Sequence, residues 1–285
     1  ESNGSVSLKA LFDGETEIDN FSTLTIEQIA FAIVRGGWPA SIGESEKIAL
    51  RHAIDYVEAI INADVSRVDG IEKNPVRVRA LLRSLSRNIS TLATIRTIHD
   101  DIAMGDADES ISEKTISQYL GALDRIFVTE NLPAWNPALR SKTAIRTSPK
   151  RQFVDPSIAA AVMRLTPSRL LEDFNYFGFL FESLCDRDLR IYAEAIDGQV
   201  FHYRDGSGLE ADAVIALNDG RWAAVEVKLG SKEIEDAAVH LLELKNKVNT
   251  EKMREPSFLM ILTGTEIAYR REDGVYVVPL GCLKD

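Results

Sequence analysis

A pair of short amphipathic segments around an Asp-Gly turn forms the most informative part of this sequence. Residues 209–229 alternate apolar and polar side chains on both sides of Asn218-Asp219-Gly220, a pattern that predicts a β-hairpin. We expect a three-residue loop at 218–220, with Gly220 in the left-handed backbone region and Leu217 opposite Arg221. This register decides which charged side chains share a face of the hairpin.

The predicted register brings four charged residues to one face: Asp212 lies opposite Glu226, and Glu210 lies opposite Lys228. Directly opposed side chains have Cβ atoms about 5 Å apart. Two carboxylates that close repel each other unless one is protonated or a cation lies between them. The hairpin therefore predicts either a cation site or a site where the lysine takes part in chemistry.

Several flanking segments are predicted to position the hairpin. The sequence predicts a helix at 176–190 and a strand at 199–204 before it, then a helix at about 231–248 and an apolar strand at 258–262. Asp212, a turn, and then Glu226-x-Lys228, set in this order of elements, resemble the core of the PD-(D/E)xK nuclease superfamily.

The superfamily resemblance implies a restriction-endonuclease-like α/β fold and a metal-dependent reaction. It implies that Asp212 and Glu226 hold Mg²⁺ or Mn²⁺, with Glu210 able to complete the shell, and that Lys228 positions or activates water. Members often carry an acidic residue on the first helix, and Glu182 is the matching position here.

Simpler interpretations of the same residues stay open. Glu226 and Lys228 also fit an exposed pair on a solvated strand face, where such pairs contribute little to stability. Trp222 and Ala224 share that predicted face, which argues for a buried strand. Glu182 also fits an ordinary polar position on an apolar helix.

The composition limits the class of protein. The chain has 285 residues, 45% of them hydrophobic, which predicts at least two folded domains. A net charge of −11 excludes a general polycation that coats nucleic acid. The two cysteines, Cys185 and Cys282, provide neither a zinc motif nor a disulfide framework. Without a signal peptide or a membrane-spanning run, we expect a cytoplasmic protein with no membrane partner.

Helical patterns dominate the first half of the chain. Residues 1–72 are predicted to be a helical segment, with a helix at 26–34 capped by Thr25 and another at 45–63. Residues 73–150 are predicted to hold helices at 76–87, 91–102 and 112–127, followed by a strand at 127–132. Three helices and a strand indicate a winged helix-turn-helix, although a helical bundle without a nucleic-acid role fits the same pattern.

Basic residues cluster in two acid-free stretches of this half. Helical spacing places Arg79, Arg83 and Arg87 on one face. On an acidic chain, this segregation predicts a nucleic-acid partner, DNA more than RNA, or alternatively docking onto the acidic segments 13–19 or 233–236. The second stretch contributes Arg140, Lys142 and Arg146.

Six phrases spread over the chain carry a wider resemblance. They are Val-Arg-Gly-Gly-Trp-Pro at 34–39, Pro-Lys-Arg-Gln-Phe-Val-Asp-Pro at 149–156, Phe-Leu-Phe-Glu-Ser-Leu at 179–184, His-Tyr-Arg at 202–204, Leu-Glu-Ala-Asp at 209–212 and Glu-Val-Lys at 226–228. The chain thereby resembles the C-terminal part of a family of prokaryotic AAA+-type ATP-binding proteins that end in a DUF4143 domain. The resemblance implies a winged helix at 73–150 and a restriction-endonuclease-like domain at 151–285.

The sequence departs from that family at its N-terminus. No Walker A string of the form G-x-x-x-x-G-K-[S/T] occurs, so the chain alone is not expected to hydrolyse ATP. Residues 1–72 correspond to the end and lid of the ATPase domain. Because the chain begins with Glu1, we expect a piece of a longer protein whose missing ATPase domain would bind ATP and act as a partner.

Three functions are compatible with these patterns. The first is a metal-dependent nuclease that uses the hairpin residues. The second is a non-catalytic module of an AAA+ ATPase that binds DNA or a protein partner through a decayed nuclease core. The third is a transcription regulator that acts through its winged helix.

Overall fold

A computed structural model of the chain describes residues 2–68, 73–105, 111–136, 148–248 and 254–285. The described residues form a mixed α/β structure that divides into two compact units. The sheet unit comprises the described residues within 1–29, 132–147 and 184–285. The helical unit comprises those within 30–131 and 148–183. Two of the divisions along the chain fall inside helices, one between Ile29 and Ala30 and one between Ser183 and Leu184.

The sheet unit is built on a seven-stranded mixed sheet with strand order β2-β7-β8-β6-β5-β4-β3. Strands β3, β4 and β5 pair antiparallel, whereas β5 pairs with β6, and β6 with β8, in parallel. The strands of the sheet are β2 (Asp19–Phe21), β3 (Gly198–Arg204), β4 (Glu210–Leu217), β5 (Trp222–Lys228), β6 (Leu259–Thr263), β7 (Ile267–Arg270) and β8 (Tyr276–Pro279).

Two helices frame the central strands along the chain. Helix α10 (Phe174–Glu194) precedes β3, and helix α11 (Ile234–Lys247) follows β5 and contacts β4, β5 and β6. Every residue of β5 except Lys228 is buried, because the strand lies in the middle of the sheet. Its Trp222 and Ala224 belong to the same apolar cluster as Ala237, Leu241 and Leu244 of α11.

The N-terminal segment is not entirely helical, contrary to the prediction for residues 1–72. Strand β1 (Val6–Ser7) pairs in parallel with β9 (Leu283–Lys284), and β2 pairs antiparallel with β7. Helix α1 (Leu8–Phe12) lies between β1 and β2. These strands are two and three residues long, and their partners lie more than 240 residues away along the chain. Local periodicity contains no information about such pairings.

The helical unit consists of short helices with side-chain caps. Just before Ala30, where this unit begins, Thr25 and Gln28 form a reciprocal capping box. Within the unit, the Oγ of Ser112 accepts the Thr115 N–H at 3.2 Å. Two helices cross the boundary of this unit: α2 (Ile26–Arg35) enters it at Ala30, and α10 leaves it after Ser183. The described α-helices that lie wholly inside the unit are α3 (Glu46–Ala59), α4 (Val65–Arg67), α5 (Pro75–Arg87), α6 (Ile95–Gly105), α7 (Glu113–Arg125), α8 (Pro156–Val162) and α9 (Pro167–Leu171).

The strand predicted at 127–132 does not form. Phe127 has φ +55°, a turn conformation that ends the preceding helix, and residues 127–132 contain isolated bridge residues, Thr129 and Leu132, in place of a strand; Thr129 pairs with Phe153. The backbone N–H of Glu130 donates to the Gln152 carbonyl at 3.0 Å. The β-branched residues Val128 and Thr129 favour a strand. The turn at Phe127 leaves too few residues to form a continuous series of strand hydrogen bonds.

Two of the family-like phrases meet inside the helical unit. The Gly37 N–H donates to Asp155 Oδ2 at 2.9 Å, and the Trp38 indole N–H donates to Ser157 Oγ at 2.9 Å. Gly36 has φ +78°, and a Cβ there would lie 2.4 Å from Ser157 Oγ. The two phrases at 34–39 and 149–156 therefore hold each other by hydrogen bonds, and the close approach requires glycine at position 36.

None of the described helices is both long and apolar enough to cross a membrane. Cys185 and Cys282 are buried and form no disulfide with each other.

Candidate functional site on the central hairpin

The β4–β5 hairpin has the predicted register. Gly220 has φ +86°, and the Leu217 N–H donates to the Arg221 carbonyl at 2.8 Å across the loop. Val214 pairs with Ala224, and Ala213 pairs with Val225, so the same register sets Asp212 opposite Glu226. The prediction of a three-residue loop with a left-handed glycine is therefore confirmed.

Asp212, Glu226 and Lys228 converge around one ammonium group. The Lys228 Nζ lies 2.8 Å from Glu226 Oε2 and 3.5 Å from Asp212 Oδ2. The backbone N–H of Val227 donates to the same Asp212 oxygen at 2.8 Å, which holds the Asp212 carboxylate against β5. We call these three residues the hairpin triad.

The hairpin triad lies partly inside the sheet. Glu226 is 3% exposed, whereas the side chains of Asp212 and Lys228 are 21% and 23% exposed. Burial, reinforced by the charge of Asp212, raises the pKa of Glu226 to about 8, and Lys228 opposes that rise. Burial therefore favours the protonated form of Glu226 at neutral pH, which reduces the repulsion between the two opposed carboxyl groups.

A β-bulge adjoins the hairpin triad. One residue of β3, His202, lies between the pairs Phe201–Val214 and Tyr203–Ala211, so two residues of β4, Asp212 and Ala213, stand opposite it. His202 is buried, and its backbone bonds to the Pro133 carbonyl and the Trp135 N–H at 3.0 and 2.7 Å.

Bulges locally re-aim side chains and often adjoin functional sites. No residue pattern in the sequence marked His202 as a candidate site residue. The only signal was its place in the family-like phrase at 202–204.

The other predicted acids have partners of their own. Glu210 is more than half exposed and lies 3.3 Å from the Arg204 guanidinium on β3. Glu182 belongs to the helical unit, where its carboxylate accepts a 2.7 Å hydrogen bond from the buried Lys150. The triad is thus the part of the predicted constellation that the sheet unit brings together.

A divalent cation suits the donor set of the triad. Asp212 and Glu226 offer hard carboxylate oxygens on adjacent strands, and Mg²⁺ is commonly held by one or two protein carboxylates plus water. Within the described ranges, no group of three or more His, Cys, Asp or Glu side chains is arranged as a metal-binding cluster. The two carboxylates therefore fit a cation that keeps most of its water ligands.

The predicted basic face lies on α5 of the helical unit. The Arg79 guanidinium forms two hydrogen bonds with Glu58, at 3.0 and 2.9 Å, and Arg87 forms a 2.7 Å ion pair with Asp101. Arg83 is exposed between them. The remaining predicted basic residues, Arg140, Lys142 and Arg146, lie outside the described residues.

Two models of known families match successive parts of the chain. The model of a family described as a domain of unknown function (DUF8612) matches residues 26–169, which is half of the chain. A second model, also described as a domain of unknown function (DUF4143), matches residues 177–283 and so includes the hairpin triad. DUF4143 is a domain found in AAA-type ATPase-associated proteins, so this part of the predicted resemblance is confirmed. No curated protein matches the chain. The chain belongs to the DUF8612 family and carries a DUF4143 domain at its C-terminal end.

Proposed function

We propose that the hairpin triad is a metal-dependent, PD-(D/E)xK-like phosphodiesterase site in a restriction-endonuclease-like fold, acting on nucleic acid. The observation that carries the proposal is the convergence of Asp212, Glu226 and Lys228 within 3.5 Å on two paired strands. Support comes from the order of elements, since α10, β3, β4, β5, α11 and β6 give helix, three antiparallel strands, helix and a parallel strand.

Each residue of the triad has a definable role. Asp212 and Glu226 would hold Mg²⁺ or Mn²⁺, which when bound polarises a phosphate and lowers the pKa of a water ligand. The Val227 N–H orients Asp212 for this task. Glu226 must lose its proton to become a ligand, and Lys228 is close enough to stabilise the resulting charge. The Lys228 ammonium is then placed to orient the attacking water or the phosphate.

The defining experiment is cleavage of single-stranded DNA, duplex DNA and RNA by the 285-residue chain with Mg²⁺ or Mn²⁺. We expect cleavage of one substrate class, and its loss by at least about 100-fold in Asp212→Asn and in Lys228→Met. Asp219→Asn is the matched control, because it removes an exposed carboxylate from the turn of the same hairpin.

The assay has an outcome that contradicts the proposal. Cleavage that persists at the original rate in both triad variants belongs to another site or to a contaminant. Circular dichroism and thermal unfolding of each variant must accompany the assay, because Lys228→Met leaves two neighbouring carboxylates without their cation.

A second candidate function is a non-catalytic module of an ATPase that binds DNA or a protein partner. The observation that favours it is that the Lys228 ammonium already lies within 3.5 Å of both carboxylates, so the folded hairpin does not require a metal. Titration with Mn²⁺ separates the two functions. Binding that Asp212→Asn weakens at least about tenfold favours the nuclease, and no binding at millimolar Mn²⁺ favours the module.

The nucleic-acid surface remains a prediction. Helices α5, α6 and α7 correspond to the predicted winged helix, and Arg79, Arg83 and Arg87 follow one face of α5. Two of these arginines hold acids of the same unit, which lowers the net positive charge available to phosphate. ATP binding by an associated AAA-type ATPase domain likewise remains a prediction.

A further inference from the structure

The helical unit contains a pocket of about 350 Å³ that the hairpin chemistry does not use. Its size is at the lower end of the range of small-molecule sites. Helices α2, α3 and α8 supply most of its wall, which is aliphatic. Its apolar lining includes Val34, Leu50, Val57, Ile61 and Leu165. We call this cavity the α3–α8 pocket.

Three arginines and one glutamate form the charged part of the lining. Glu58 is engaged by Arg79, whose two guanidinium nitrogens lie 3.0 and 2.9 Å from its two oxygens. No hydrogen bond or ion pair joins the side chain of Arg83 or of Arg164 to another described residue, although Arg164, after Arg79, helps to lower the pKa of the Glu58 carboxyl. An aliphatic cavity thus opens beside two exposed arginine side chains that no described acid holds by a hydrogen bond or an ion pair.

The backbone at Arg164 adds a separate observation. Arg164 follows the last turn of α8 with φ +54°, and its N–H donates to the Ala161 carbonyl at 3.1 Å. Glycine is the favoured residue at this left-handed position, because a side chain there is conformationally costly. Arg164, which lines the α3–α8 pocket, therefore occupies a backbone position where glycine would be more stable.

The lining also narrows the kind of molecule that fits. None of the described lining residues is aromatic, and Thr166 is the only neutral polar side chain among them. A nucleobase would need stacking partners and hydrogen-bonding groups for its edge. An aliphatic chain needs neither, and its burial is favourable in proportion to the apolar area removed from water.

We propose that the α3–α8 pocket binds a small amphipathic anion, with an acyl or alkyl chain among its aliphatic side chains and a carboxylate or phosphate head group on Arg83 and Arg164. Arg79 keeps Glu58 from repelling the head group by neutralising it. The two head groups share the same chemistry, and the guanidinium fork matches both of them.

The test is isothermal titration of the full chain with decanoate and with decyl phosphate, both below their micellar concentrations. The α3–α8 pocket predicts saturable one-to-one binding of at least one of them. Decanol lacks the charge, and inorganic phosphate lacks the chain, so each should bind at least tenfold more weakly. The stronger of the two anions identifies the head group.

Variants locate the site independently of the ligand comparison. Arg164→Gly should weaken binding at least tenfold without lowering the melting temperature, because glycine suits the left-handed backbone. Arg83→Gln should weaken binding by a similar factor. Arg169→Gln is the matched control, since it removes an exposed arginine of α9 that does not line the pocket.

Several results overturn the assignment. Binding only above the micellar concentration, equal binding of decanol, or full binding by Arg83→Gln and Arg164→Gly each exclude a head-group site at these arginines. If neither amphiphile binds folded protein at millimolar concentration, while an oligonucleotide binds in a manner that depends on Arg83, the arginines serve nucleic acid instead.

Discussion

The hairpin triad and the α3–α8 pocket differ in whether their charged side chains are neutralised by neighbours in the fold. In the triad, one ammonium lies within 3.5 Å of two carboxylates, and Glu226 is almost completely buried. At the pocket, Arg79 is paired with Glu58, while the exposed side chains of Arg83 and Arg164 form no ion pair with a described residue. A buried charge must be neutralised by other groups of the fold, because it is shielded from water. An exposed charge is solvated by water and stays accessible to a ligand. The charges of the triad are thus balanced within the hairpin, whereas two of the pocket arginines stay accessible to a ligand, as the proposed anion site requires.

The strongest way to break the triad is Lys228→Met. It leaves Asp212 and Glu226 opposed without their shared cation, and we expect the free energy of unfolding to fall by about 3 kcal/mol at pH 9. The loss should shrink at pH 6, where a carboxyl can hold a proton. Lys232→Met is the control, since Lys232 is exposed and should change stability by less than about 0.5 kcal/mol. Equal losses at both pH values would contradict this account.

Glu226→Gln should stabilise the protein at alkaline pH by about 2 kcal/mol. Burial raises the folded-state pKa of Glu226 from 4.5 to about 8, so the folded protein binds a proton that the unfolded chain has released. Stability therefore falls as pH rises from about 4.5 to about 8, by up to about 1.4 kcal/mol per pH unit. Glutamine mimics the protonated acid and cannot titrate.

Urea unfolding between pH 5 and pH 9 measures this difference. Glu210→Gln is the matched control, because Glu210 is an exposed acid on the same hairpin. Parallel pH profiles of the wild type and Glu226→Gln would show that Glu226 is ionised in the folded protein at neutral pH.

Removal of single arginines from the α5 face should have a smaller effect on stability. Arg79→Gln breaks an exposed two-bond pair with Glu58, and we expect a loss of about 0.5–1 kcal/mol. Arg83→Gln removes a side chain without an acid among the described residues, so a change below about 0.5 kcal/mol is expected. Thermal unfolding of the two variants side by side tests this, and a larger loss for Arg83→Gln would reveal a partner for it.

Salt provides the mildest perturbation. Between about 0.1 M and about 1 M NaCl, the Debye length falls from about 10 Å to about 3 Å. The stability difference between wild type and Arg79→Gln should decrease by a few tenths of a kcal/mol, because that pair is exposed. The difference for Lys228→Met should be nearly unchanged, because Glu226 is shielded from solvent. If salt reduced the stability difference for Lys228→Met as much as it reduces that for Arg79→Gln, the triad would not be shielded from solvent.

Local sequence was sufficient for the hairpin and for most helices near it. The Asn-Asp-Gly turn and the period-two alternation set the register that opposes Asp212 and Glu226, because strand pairing across a three-residue loop leaves little freedom. Helix α11 also follows from its pattern, although it begins at Ile234 and not at 231. The first helix was predicted at 176–190 and extends over Phe174–Glu194.

Tertiary structure decided everything that depends on distant partners. Strands β1 and β2 exist only because β9 and β7 meet them, and the predicted strand at 127–132 is lost to a turn at Phe127. Glu182 has the sequence position of a catalytic acid, yet it pairs with Lys150. The α3–α8 pocket joins residues from 34 to 166, which no local pattern relates.

The sequence by itself determined the residue types of the triad, the turn that joins their strands and the face they share. Only the tertiary structure decided that Glu226 is buried, that its pKa rises, and that Arg83 and Arg164 border one cavity. The physical reason is the range of the forces involved. Turn geometry and strand alternation act over a few neighbouring residues, whereas burial and charge pairing depend on what the rest of the chain packs against them.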